Sequence, residues 1–150
     1  MTEAFGAALL AALAIAAGLG WQSVRTAAIP VSSPDRLVAE LRLAQMTALL
    51  LATTAGAYIG FAVVQETRAG SGLDIVMAVG FFLASATTLT REPRQALTII
   101  ALGFAAHAVL DVSHAAGVLA GRTAPGWYAL GCAMFNVLVG AVTYLPLLRR

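Results

Sequence analysis

Three ionisable residues, His107, Asp111 and His114, lie close together in one apolar stretch of the chain. The surrounding segment reads GFAAHAVLDVSHAAG, and in a hydrophobic helix each of these side chains would be costly to bury alone. At about 100° per residue, spacings of four and three residues place all three side chains on one helix face. We expect that face to point into a helix bundle or a water-filled cavity.

Histidine and carboxylate residues three or four positions apart are a common way for a helix to present metal ligands. The sequence therefore predicts a metal site that includes His107, Asp111 and His114, or a haem held by His107 and His114. Copper, zinc and iron each accept some of the available ligand types, whereas a histidine alone suffices as an axial haem ligand. Because Asp-x-x-His occurs once, we expect a mononuclear site or one shared across a dimer.

Other residues could complete the site from neighbouring helices. At about 1.5 Å of rise per residue, Asn136 falls at the same membrane depth as Asp111, so it joins the predicted metal ligands. Two methionines and one cysteine lie in the outer half of the membrane, and two carboxylates flank the outer loop at the mouth of the site. These secondary candidates are Cys132, Met77, Met134, Glu66 and Asp74.

The same cluster is also compatible with functions that need no cofactor. An aspartate flanked by two histidines can satisfy itself within one helix and act only in helix packing. Buried His and Asp residues also serve as proton or ion relays in transporters. A His–Asp pair could instead act as a general base on Ser113, Thr53, Thr54 or a lipid hydroxyl, although Ser113 points to another side of the helix.

The chain that must position these residues has the composition of a membrane protein. It is 60% apolar and 11% charged over 150 residues, and a bilayer needs roughly 20 apolar residues per helix. We predict an all-α bundle forming a single transmembrane domain. The predicted spans are 4–21, 43–64, 73–89, 96–120 and 127–148.

The arginines predict how the bundle is oriented. Seven lie in the loops and the tail on one side of the membrane, against Arg68 and Arg122 on the other. Cytoplasmic loops are enriched in basic residues, so we expect the N-terminus outside and the C-terminus in the cytoplasm. Glu3 and the lack of a basic N-terminal region argue against a cleaved signal peptide. A net charge of +2 without a basic patch excludes nucleic-acid binding.

The last third of the chain resembles a pattern found in small bacterial multi-pass membrane proteins of unassigned function. The residues that carry this resemblance form His-x3-Asp-x2-His and, after it, Pro125-x-Trp127-Tyr128. The resemblance implies no activity. We expect a protein of the bacterial inner membrane, in contact with lipid, and the candidate partners are further copies of the chain, as a homo-oligomer, or the subunits of a larger membrane complex.

The function predicted from the sequence is a small metal- or haem-binding membrane protein, acting as an accessory subunit of a redox assembly. The alternatives are a non-catalytic subunit whose polar cluster only fixes helix packing, and a proton or ion relay in a transporter. Whether the protein is an enzyme is left open.

Overall fold

The computed structural model describes residues 3–65, 70–119 and 123–149. Within those residues helices are the only regular secondary structure, namely α1 (Glu3–Ala28), α2 (Pro34–Val64), α3 (Ser71–Thr88), α4 (Pro93–Ala115) and α5 (Gly126–Tyr144). A short 3₁₀ turn, Leu145–Leu148, continues α5. Each of the five helices is long and apolar enough to cross a membrane, which confirms the predicted all-α class and number of helices.

The helices begin where the sequence supplies starting signals. Pro34 and Pro93 occupy the first positions of α2 and α4, where proline loses no intrahelical hydrogen bond. The Ser33 hydroxyl caps α2 by accepting a hydrogen bond from the Asp35 backbone N–H at 3.3 Å. As a result α2 begins at Pro34, well before the apolar run that starts at Leu43.

α4 ends earlier than the apolar run predicts, at Ala115 instead of residue 120. Gly117 adopts a left-handed conformation with φ 71°. Its N–H donates to the His114 carbonyl at 3.1 Å, and the Val118 N–H donates to the Ser113 carbonyl at 2.9 Å. This pair of bonds is a Schellman motif, which stops the helix and places His114 in its last turn.

Most of the core lies where α4 packs against α5 and α2, and α3 packs mainly against α2. Gly103 and Gly140 allow close approach of the helices: a Cβ at Gly103 would lie 2.7 Å from Leu51 Cδ2, and one at Gly140 would lie 3.3 Å from Phe104 Cβ. α1 packs mainly against α5 and leaves most of its surface exposed. Among the described residues, the largest fully buried apolar side chains are Leu43, Leu51, Leu97, Ile100, Phe104 and Val139.

A buried ion cluster joins the elements at one end of the bundle. Arg36 Nε donates to Glu40 Oε1 at 2.7 Å, and its two terminal nitrogens each donate at 2.6 Å, one to the Thr26 carbonyl and one to the Pro146 carbonyl. Arg94 also donates to Glu40 Oε1, at 3.1 Å. Because these contacts join the end of α1, the starts of α2 and α4 and the 3₁₀ turn, the charged first turns of α2 belong to the folded bundle.

Candidate functional site

The first polar group is built around Asp111, which is completely buried in α4. Its Oδ1 accepts a hydrogen bond from the Tyr58 hydroxyl of α2 at 2.5 Å. Its Oδ2 accepts one from Asn136 Nδ2 of α5 at 2.8 Å and lies 3.2 Å from His107 Nδ1, one helical turn earlier. Three helices therefore meet at one carboxylate, and α4 supplies both Asp111 and His107.

The Asn136 amide nitrogen lies among three possible acceptors. Nδ2 is 2.8 Å from His107 Nδ1, 2.8 Å from Asp111 Oδ2 and 3.4 Å from Cys132 Sγ. An amide nitrogen carries two hydrogens, so it satisfies at most two of the three at once. The Asn136 Oδ1 atom, by contrast, is buried without a hydrogen-bond partner among the described residues.

Three of these side chains could hold a metal ion. His107 Nδ1, a carboxylate oxygen of Asp111 and Cys132 Sγ all lie within 4.8 Å of one another, and all three residues are buried. The cysteine takes the place in this group that the sequence assigned to His114. Of the predicted metal ligands, the structure thus gathers His107, Asp111 and Asn136 and adds the secondary candidate Cys132.

His114 belongs to a second polar group. Its Nε2 lies 3.1 Å from Asp74 Oδ1, and the other oxygen of Asp74 accepts a short hydrogen bond from the Thr123 hydroxyl. Asp74 was expected at the mouth of the site, but its side chain is buried and only 1% of the residue is exposed. Gln65 Nε2 donates to the Thr123 carbonyl at 2.7 Å, which ties the segment before α5 to the end of α2.

Tyr58 and a small cavity connect the two groups. The Tyr58 ring stacks on the His114 ring at a centroid distance of 5.4 Å while its hydroxyl bonds to Asp111. A cavity of about 20 Å³ is lined by Tyr58, Asp74, His107 and His114, together with apolar side chains. This volume is enough for about one water molecule. The two histidines therefore face a common space although each has its own carboxylate.

The remaining residues that the sequence singled out lie in different parts of the structure. Met77 lines the cavity, whereas Met134 is 76% exposed on the outer face of α5 and does not belong to the site. Glu66 lies outside the described residues. Ser113 donates its hydroxyl to the Val109 carbonyl, and Thr53 and Thr54 likewise donate to helix carbonyls, so none of the three is aligned with a histidine.

Two residues of the site were not singled out from the sequence, Tyr58 and Thr123. A signal for Tyr58 existed, since a tyrosine in the middle of an apolar span needs a partner for its hydroxyl. Thr123 gave no such signal, because threonine is a common residue in a loop that connects two helices. Its role follows only from the position of Asp74 on the neighbouring helix.

No family model, no curated protein and no solved structure matches the chain. The resemblance to small bacterial membrane proteins therefore remains a prediction. Function is inferred below from the geometry of the two polar groups.

Proposed function

We propose that this chain is a small multi-pass membrane protein that binds one zinc ion at His107, Asp111 and Cys132. The observation that carries the proposal is the convergence of three chemically suitable donor atoms within 4.8 Å in a buried site. The 3.2 Å between His107 Nδ1 and Asp111 Oδ2 matches the edge of a tetrahedron with zinc bonds of roughly 2.0–2.1 Å. Two donors thus already have the spacing that the ion requires.

Asn136 is the proposed fourth ligand. In the structure its Nδ2 lies within 3.4 Å of an atom of each of the three donors, and its Oδ1 has no hydrogen-bond partner among the described residues. Rotation of the amide would withdraw the nitrogen and turn the oxygen, which is a metal ligand, toward the ion. The proposal thereby gives the unpartnered oxygen a function, since a buried polar atom without a hydrogen bond is costly.

Charge balance also favours a divalent ion. Zinc binding would release the proton of the Cys132 thiol, so that the Asp111 carboxylate and the Cys132 thiolate together carry two negative charges, and neutral histidine and asparagine add none. A divalent ion makes the whole site neutral, which lowers the cost of burying it in a medium of low dielectric. Of the candidate metals, zinc accepts this mixture of nitrogen, oxygen and sulfur ligands in tetrahedral geometry.

The geometry favours a single ion over haem or a redox copper site. The cavity beside His107 and His114 holds about 20 Å³, far less than a porphyrin needs. Of the two methionines that would favour copper, Met134 faces outward, so at most Met77, which lines the cavity, remains near the site. A role as an accessory subunit of a redox assembly would require copper or iron at this site, and metal analysis separates these ions from zinc.

The proposed setting is the inner membrane of a bacterium, with the N-terminus outside and the C-terminus in the cytoplasm. The arginine distribution along the chain supports this orientation. The Arg36–Glu40–Arg94 cluster would then lie at the cytoplasmic end, and the two His–Asp groups in the outer half of the bilayer.

A second candidate function is a metal-free hydrogen-bond network that only fixes the packing of α2, α4 and α5. The specific observation in its favour is that Asn136 Nδ2 already lies within hydrogen-bonding distance of His107 and Asp111. A proton relay is a variant of this reading, since the second pair, His114 and Asp74, lines the same cavity. Both versions predict a folded protein that takes up no zinc.

The deciding experiment is metal analysis of detergent-purified protein carrying an affinity tag without histidines. We compare the wild type with Cys132→Ser and His107→Gln, and use His114→Gln as the matched control, because His114 pairs with Asp74 outside the proposed ligand set. We expect about one zinc per chain in the wild type and the control, and a loss of at least about tenfold in affinity in both ligand variants. A folded, zinc-free wild type that takes up no zinc on addition refutes the proposal.

A further inference from the structure

An open apolar groove of about 460 Å³ runs between α3 and α4 on the outer surface of the bundle. Both helices are long and apolar enough to cross a membrane, so in a bilayer the surface between them would face hydrocarbon. The volume is within the range of roughly 300–1,000 Å³ typical of ligand pockets. Residues of its walls include Met77, Gly80 and Phe81 of α3, and Leu102, Ala106 and Leu110 of α4.

The groove adjoins the polar cavity between the two His–Asp groups. Met77, Phe81 and Leu110 line both spaces. The Phe81 ring lies against the His107 ring at a centroid distance of 4.7 Å. A few apolar side chains therefore separate the groove from the buried histidines, and a group passing from the groove into the cavity would have to displace Met77 or Phe81.

One carboxylate that lines the polar cavity has an oxygen without a hydrogen-bond donor among the described residues. Asp74 lines the cavity, and its Oδ1 is buried with no hydrogen-bond partner among the described residues. His114 Nε2 is 3.1 Å away, which satisfies an ion-pair distance but not the alignment of a hydrogen bond. A donor arriving in the cavity would relieve the cost of this unpaired oxygen.

We propose that the groove binds an acyl chain of a hydroxyl-bearing membrane lipid, whose hydroxyl enters the cavity and donates a hydrogen bond to Asp74 Oδ1. The groove suits the chain because its walls are apolar and it opens to the membrane. The cavity suits a hydroxyl because about 20 Å³ holds one oxygen-sized group and excludes a phosphate or a larger headgroup. The acceptor for the hydroxyl does not depend on the proposed zinc ion, since Asp74 lies outside the zinc ligands, although the zinc ligand His107 lines the same cavity.

Gly80 offers a way to block the groove without disturbing the fold. A Cβ added at Gly80 would meet no atom within 4 Å, so a larger side chain there extends into open space. Gly60 on α2 has the same open surroundings and does not line the groove, which makes it the matched control. We therefore compare Gly80→Leu with Gly60→Leu.

The experiment uses the full chain, stripped of metal, in phosphatidylcholine nanodiscs. The probes are a long-chain primary alcohol with a diazirine in its chain and the matching alkane with the same diazirine. After illumination, labelled peptides are identified by mass spectrometry. We expect the alcohol to label the groove segments of α3 and α4 about tenfold more than the alkane, because a hydrogen bond to a buried oxygen that otherwise lacks a donor is worth about this factor.

Two variants test the parts of the proposal separately. Gly80→Leu should abolish labelling of the groove, and Gly60→Leu should leave it unchanged. Asp74→Ala should remove the preference for the alcohol over the alkane, a ratio that is independent of how much protein is folded. Equal labelling by both probes in the wild type, or no effect of Gly80→Leu, overturns the proposal and shows ordinary contact with bilayer lipid.

Discussion

Replacing Tyr58 with phenylalanine removes one hydroxyl from the proposed zinc site and keeps the aromatic ring. The hydroxyl donates to Asp111 Oδ1 at 2.5 Å, whereas the other oxygen of Asp111 faces His107. Tyr58 therefore holds the Asp111 oxygen that does not face His107, and it is not itself a proposed zinc ligand. The ring should still stack on His114, so the change isolates the hydrogen bond.

The expected effect follows from the geometry. Loss of a partner that orients a metal ligand typically lowers metal affinity about 10- to 100-fold, which corresponds to about 1.4–2.7 kcal/mol. Asp111 keeps its hydrogen bond from Asn136 at 2.8 Å, so the metal-free protein is expected to lose only about 1–2 kcal/mol of unfolding free energy. The variant should remain folded and bind zinc more weakly.

Zinc affinity would be measured by competition with a chromophoric chelator in detergent, beside thermal unfolding of the metal-free protein. Tyr144→Phe is the control, because Tyr144 lies at the far end of α5 and is 45% exposed. Wild-type affinity in Tyr58→Phe would refute the proposed orientation of Asp111 by the hydroxyl. An equal loss in Tyr144→Phe would show that the assay reports a general effect of removing a tyrosine hydroxyl.

Two further predictions concern the framework of the bundle, and both are measured by thermal unfolding in detergent. Arg36→Met should lower the free energy of unfolding by about 3–5 kcal/mol, because Arg36 is buried and donates to Glu40 and several carbonyls. Arg94→Met should lower it by at most about 1 kcal/mol, because that side chain is 42% exposed. Equal losses in the two variants would contradict the assigned role of Arg36. Gly103→Ala should lower the free energy of unfolding by about 1–3 kcal/mol, since the added Cβ would lie 2.7 Å from Cδ2 of buried Leu51. Gly56→Ala should leave the stability unchanged, because its Cβ would make an ordinary contact with the Phe82 ring at 3.5 Å. A tolerated Gly103→Ala would mean that Leu51 can move aside freely.

The sequence alone was sufficient for the helices and for one face of α4. Apolar runs of about 20 residues favour helices in a membrane because a helix satisfies every backbone polar group within its own segment. Spacing along α4 then places His107 and Asp111 one turn apart on one face, where the structure has them. The depth of Asn136 followed from the rise per residue in the same way.

Helix ends and charged turns were less predictable. Hydropathy placed the start of the second span at Leu43, but Pro34, the Ser33 cap and the buried Arg36–Glu40 pair extend α2 backwards. These features depend on hydrogen bonds to other elements, such as the Pro146 carbonyl, that are remote in the chain. A scale that scores each residue by its transfer from water cannot register a charge that is satisfied by distant partners.

Only the tertiary structure decided which helices supply the partners of the two histidines. Helical periodicity fixes the direction of a side chain within its own helix, but contacts between helices depend on how the helices pack and rotate against each other. That packing gives Cys132, rather than His114, to the group around Asp111, turns Met134 outward and buries Asp74 against His114. The sequence thus determined which residues could do chemistry, and the packing of α3 and α5 on the rest of the bundle determined which of them meet.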